Sequence, residues 1–228
     1  MRNPRGPLSR VLKDAWKVVI AKHYNAGTTS PDINSEAALQ AYFFSEIRRQ
    51  VLFAEETGRI DGGIRVFVEP KFLFEDKEVI PDLVVCRGSD VIALIELKYL
   101  PRVVTGSLHD IPKGFKKDLT SLRKLFVSKD ASAILSFTHE RYSGKFTEVK
   151  ESFYVSKSAL FVWAGVYASS GDSNANWLRL DNVDGPTENF PFLQLHAVTR
   201  FEEYAAVESR FGYETVSESL TDEKQDSC

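Results

Sequence analysis

Apolar positions recur along the chain with a spacing that changes, and each change marks an element. Between Leu8 and Tyr24 the apolar residues Val11, Leu12, Ala15, Trp16, Val19 and Ile20 fall three and four apart, which predicts an amphipathic helix. The Gly, Thr, Ser and Pro residues between Asn25 and Asn34 predict a loop. Either Asn34 or Ser35 can cap a second helix, and Glu36 in its first turn suits the helix dipole. That helix runs to about Glu55, with Leu39, Tyr42, Phe43, Ile47, Gln50 and Val51 on one face, and ends at Thr57-Gly58.

Beyond the turn at Asp61-Gly62-Gly63 the residues become β-branched and aromatic. Ile64 to Phe74 predicts a strand, with Pro70 marking a bend or an edge. Glu75 to Glu78 is a turn, Val79 to Cys86 a second strand, and Arg87-Gly88-Ser89-Asp90 a hairpin turn. Val91 to Tyr99 is a third strand, apolar enough to lie centrally with both faces covered. After a loop, Ile111 to Ser128 predicts a helix, with Phe115, Leu119, Leu122, Leu125 and Phe126 on one face. Ala131 to Thr138 predicts an internal fourth strand. Phe153 to Ala168 has strand propensity, with a helical option near its start. Trp177 to Leu180 and Phe192 to Val198 are short strands, 200–212 a last helix, and 214–228 an acidic disordered tail. Strands interleaved with helices predict an α/β fold, a mixed central sheet with helices on both faces. The expected organisation is one domain over 1–213, with a core over about 34–140 and a β-rich extension over about 150–213.

Charge refines this picture. The formal net charge is −3, but residues 201–228 hold eight acids against two bases, which leaves residues 1–200 at +3. Residues 98–129 hold eight bases against Asp110 and Asp118. A positive stretch there suits a phosphate backbone, although a solvated helix face explains it as well. There is no run of eighteen apolar residues. The basic start Met1-Arg2-Asn3-Pro4-Arg5 is followed by no apolar signal region, and the two cysteines read as reduced thiols. The expectation is a cytoplasmic protein without membrane association.

The candidate chemistry sits on the hairpin. A turn centred on Gly88-Ser89 puts Arg87 opposite Asp90 and, by the same count, Asp82 opposite Ile95, one residue from Glu96. Glu96 and Lys98 are two apart on a strand and share a face. They interrupt an apolar run where propensity alone would continue with apolar residues, so function is the expected reason. Two carboxylates near one point make a hard oxygen site for Mg²⁺ or Mn²⁺, which would activate water and orient a phosphate. Lys98 could position or deprotonate that water, or stabilise developing charge. An isolated Glu-x-Lys is common by chance. Here a Pro-Asp fourteen residues upstream, a hairpin turn, apolar flanks and a following basic helix accompany it.

The run Val79-Ile80-Pro81-Asp82 with Ile95-Glu96-Leu97-Lys98 resembles the core motif of the PD-(D/E)xK phosphodiesterase superfamily, the restriction-endonuclease-like nucleases. The resemblance covers about residues 34–140. It implies a core of helix, three strands, helix and strand, and a Mg²⁺- or Mn²⁺-dependent endonuclease acting on nucleic acid, DNA before RNA. It assigns Asp82 and Glu96 as metal-binding acids, Lys98 as the catalytic lysine, and the backbone carbonyl of Leu97 as a further metal ligand. An acid from the first core helix often joins; Glu36 is favoured over Glu46, which could pair with Arg48 or Arg49. Lys113, Lys116 and Lys117 on the following helix are candidate phosphate contacts, and a homodimer is compatible with such an enzyme. The alternative is a catalytically weak nuclease fold used for nucleic-acid binding or assembly.

Other chemistries lack their residues. His23, His109, His139 and His196 show no metal-ligand spacing, and there is no phosphate-binding G-x-x-x-x-G-K-[ST] or G-x-S-x-G nucleophile motif. Trp163, Tyr167 and Trp177 could stack on bases but are expected to fill the core.

Overall fold

A computed structural model of the chain describes residues 5–24, 32–74, 77–100, 120, 132–140, 146–168, 192–200 and 204–212. Helix α1 (Arg5–Val19) passes directly into a π-helical turn over Ile20–Tyr24, and helix α2 spans Glu36–Glu56. Ser35 is the N-cap of α2; its hydroxyl accepts the N–H of Ala38 at 3.1 Å. The two helices pack through Leu12, Trp16, Leu39, Phe43 and Ile47, all fully buried, with Trp16 edge-on to Phe43 at 5.3 Å.

Nine strands follow among the described residues: β1 (Ile64–Val68), β2 (Lys71–Phe74), β3 (Lys77–Val79), β4 (Leu83–Arg87), β5 (Asp90–Leu100), β6 (Ser132–Glu140), β7 (Phe146–Ala168), β8 (Phe192–Arg200) and β9 (Tyr204–Gly212). They form one open, mixed sheet in the order β1-β4-β5-β7-β6-β2-β3, with β8 also beside β7 and β9 beside β8. The β5–β7 and β7–β8 pairings are parallel; the others are antiparallel. β7 organises the sheet. Its first part pairs with β6 and its last part with β8 on one side, while β5 lies along the other. β5 is therefore central, as its apolar run requires.

The helices cover one face of this sheet, over Leu83, Val85, Ala93, Ile95, Leu97, Leu160, Val162, Ala164, Leu193 and Leu195. The opposite face carries Val84, Leu94, Phe161 and Trp163, which are buried too. No helix of the described residues is long and apolar enough to cross a membrane.

Several expectations change. The strand expected over Ile64 to Phe74 is two strands, because Glu69 takes a positive φ of 46° before Pro70 and turns the chain. Val79 closes β3 and does not open β4, so Ile80, Pro81 and Asp82 precede the strand that was expected to contain them. The expected helix over 200–212 is strand β9 from Tyr204, since the β8 edge offers a full antiparallel ladder. Phe146–Ala168 is strand throughout, and it supplies the parallel neighbour of β5 from outside the 34–140 core. The expected helix over Ile111 to Ser128, the strand over Trp177 to Leu180 and the tail over 214–228 lie outside the described residues, Thr120 excepted.

Candidate active site

The β4–β5 hairpin turns at Gly88, whose φ of 55° suits a residue without a Cβ. Arg87 pairs with Asp90 as expected, but the register then shifts. Cys86 pairs with Val91 and Val85 with Ala93, so Ile92 is an extra residue on β5. This bulge overturns the expectation that Asp82 faces Ile95. Leu83 faces Ile95 instead, and one further step along the same register sets Asp82 across from Glu96. The inserted residue thus brings the two acids closer than a regular hairpin would.

Asp82 is fastened on three sides. Its carbonyl accepts the N–H of Glu69 at 2.9 Å and the side-chain amide of Gln40 at 3.1 Å, tying the entry of β4 to β1 and α2. Its carboxylate Oδ2 accepts the N–H of Leu97 at 2.5 Å. In an extended strand the carbonyl of a residue projects to the same side as its N–H. The Leu97 carbonyl therefore faces the gap where β4 stops. Pro81, the residue before Asp82, has no N–H to offer.

Glu96 is 8% exposed and hydrogen-bonds the Asp82 carboxyl, while the Lys98 and Glu36 charges both act on Asp82. Burial pushes the Asp82 carboxyl above its ordinary value, and Glu36 adds to this. The Leu97 N–H, Lys98 and the Glu96 hydrogen bond pull it down without cancelling the rise. Two carboxyls joined by a hydrogen bond must share a proton, and a bound cation relieves the same repulsion.

Glu36 reaches the site from the first turn of α2, where its carboxylate accepts the N–H of Tyr99 at 3.3 Å. Tyr99 is itself anchored, its hydroxyl donating to the Ile33 carbonyl at 2.9 Å. Glu46 is engaged elsewhere. It takes hydrogen bonds from Arg49 and from Gln50, the latter at 2.9 Å. Burial raises the Glu46 carboxyl, but Arg49 and Gln50 outweigh burial and hold it below the ordinary carboxylate range. The structure thus brings together Glu36, Asp82, Glu96 and Lys98. Lys113, Lys116 and Lys117 lie outside the described residues.

Gln40 joins the site without having been singled out from the sequence; its position one helical turn after Glu36 was the available signal. Among the described residues no group of three or more His, Cys, Asp or Glu side chains is arranged to hold a metal ion. The carboxylate donors converging here are the Asp82–Glu96 pair. Their chemistry is all-oxygen and suits a hard divalent cation, which completes its shell with carbonyls, water and substrate oxygens.

No protein-family model, no curated protein and no solved structure matches the chain.

Proposed function

We propose that this protein is a metal-dependent nuclease, an endonuclease that hydrolyses phosphodiester bonds of DNA before RNA. The observation that carries the reading is the mutual approach of Asp82, Glu96 and Lys98, with the Asp82 carboxylate on the Leu97 N–H. A catalytic divalent cation, Mg²⁺ or Mn²⁺, would be held by Asp82, Glu96 and the Leu97 carbonyl and would supply Lewis-acid activation of water and phosphate.

The chain's own groups do the rest. Asp82 is oriented by the Leu97 N–H, which fixes one oxygen, and its carboxyl also hydrogen-bonds Glu96. Lys98 projects from the same strand face as Glu96 and places an ammonium where the attacking water and the pentacoordinate phosphorus develop charge. Glu36, in the first turn of α2, would order a further water through one oxygen while the other accepts the Tyr99 N–H. Gln40 keeps the β4 entry from moving away from α2.

The test is cleavage of linear, circular and single-stranded DNA and of RNA by purified protein, with Mg²⁺ or Mn²⁺ and with chelator. Metal-dependent cutting that vanishes in Glu96→Ala and Lys98→Ala supports the proposal. No cutting by wild type, or equal cutting by both variants, refutes it. Binding without cutting would point to a nuclease fold used for nucleic-acid capture or assembly.

A further inference from the structure

Four buried side chains on β7 and β8 stand beside the site without a part in the chemistry above: Trp163, Tyr167, Gln194 and His196. The registers align them with it. Glu96 pairs with Trp163, which pairs with Gln194; Lys98 pairs with Gly165, which pairs with His196. Paired residues share a face, so two rows run across the sheet from the acid and the lysine.

Gly165 leaves the second row without a side chain, and the indole of Trp163 uses the space. A Cβ at position 165 would stand 2.5 Å from Cη2 and 2.9 Å from Cζ3 of that indole. The ring therefore lies along its own strand, in the row between Lys98 and His196. Its distal side is backed by His196, with ring centroids 5.2 Å apart, and by Tyr167 at 6.4 Å.

The backing is itself locked. Gln194 Oε1 and His196 Nε2 are 3.2 Å apart, and the Tyr167 hydroxyl lies 2.5 Å from His196 Nδ1. An amide oxygen only accepts, so Nε2 carries the proton and Nδ1 accepts from the tyrosine. One neutral tautomer satisfies both bonds. From the other face of the sheet, the Trp16 indole N–H donates to the His196 carbonyl at 3.3 Å. A Gln and a His in the run Phe192-Leu193-Gln194-Leu195-His196-Ala197 break the apolar rule of a buried strand. Such groups are tolerated only when hydrogen-bonded, and these bonds restrict the His196 ring and its neighbours.

We propose that Trp163 is a positioning residue for Glu96 and Lys98: its indole, laid over Gly165 and braced by the Gln194–His196–Tyr167 hydrogen bonds, is the rigid wall that fixes these two side chains. This rests on the phosphodiesterase reading. It gives the glycine at 165 a function, because any larger residue tilts the indole toward Lys98 or His196.

Full-length protein and Mn²⁺ as probe test it. Mn²⁺ is paramagnetic and quenches nearby indole emission, whereas Mg²⁺ is not. Mn²⁺ should quench wild type, and the quench should vanish in Trp163→Phe and in Glu96→Gln. A misplacement of the reacting groups by about 1 Å costs on the order of 100-fold in rate, so Gly165→Ala should lower kcat by about that factor with KM little changed. Trp163→Phe should retain more kcat than Trp163→Ala, and Gly165→Ala with Trp163→Phe should exceed Gly165→Ala alone. The wall is refuted if Mn²⁺ binds calorimetrically without quenching Trp163. It is equally refuted if wild type cuts and folded Gly165→Ala keeps its kcat, or if the double variant gains nothing; the nuclease reading survives those results. If wild type neither binds Mn²⁺ nor cuts, both readings fall together.

Discussion

At Asp82 burial ties a single proton to the stability of the fold. Burial and the Glu36 charge raise this carboxyl above its ordinary value, so the folded state holds the proton more tightly than the unfolded chain does. Its ionisation therefore weakens the fold as pH rises through the raised value. Asp82→Asn still offers an oxygen to the Leu97 N–H but carries no charge. It should melt no lower than wild type at neutral pH, and higher in the absence of divalent cation, while losing cleavage. Thermal melts with and without Mn²⁺ check this, and Mn²⁺ should raise the Tm of wild type alone. His196 has the opposite sign. Burial lowers it from 6.5 to about 3, so its stabilising neutral form is fully present above 6.5 and is lost as pH falls toward 3. Urea midpoints taken between pH 7 and pH 4.5 should fall, and His196→Phe should flatten that slope. Asp82, Glu96 and Lys98 were legible in the sequence because charged residues in an apolar hairpin break a local rule. Gln194 and His196 break the same rule and were still missed, because Trp163 and Gly165, which connect them to the site, belong to a distant segment.

Elements differ in how locally they are determined. Helix α2 was legible in the sequence, which left its cap open between Asn34 and Ser35; the structure puts it at Ser35. Ser35→Ala removes the acceptor for the Ala38 N–H and should cost about 1 kcal/mol. Because Glu36 follows directly, the variant should also cleave more slowly, a joint effect that paired denaturation and rate measurements detect. Gly88 tightens the β4–β5 hairpin with a φ of 55°. Gly88→Ala should destabilise by roughly 1–2 kcal/mol, seen as a lower urea midpoint with unchanged m. The bulge at Ile92 was not legible, since its neighbours alternate no differently from a regular strand. Strand β9 was misread for a related reason. Tyr204, Ala205, Ala206 and Val207 fit a helix as well as a strand, and the ladder with β8 decides between them.

For the whole molecule, the α/β class and the two-faced burial of β5 followed from composition and period. Sheet order did not, because parallel pairing joins segments far apart in sequence and leaves no local mark. The layers meet at Trp16, which packs on Phe43 and bonds the His196 carbonyl. Trp16→Ala should cost about 3–5 kcal/mol, enough to unfold a marginal domain at 37 °C, and should loosen β8 as well as α1 in hydrogen exchange. β7 carries a last consequence, for synthesis on the ribosome. The acids and lysine of the hairpin are made by residue 98, yet β5 gains its parallel neighbour β7 only at Ala168, and β7 gains β8 only at Arg200. At about 5–20 residues per second, the nascent chain waits roughly 5–20 s between making these side chains and completing the sheet around them. A chain abandoned before its last strands would thus carry Asp82, Glu96 and Lys98 without the sheet that brings them together, and under the proposed nuclease function it would be born unable to cut.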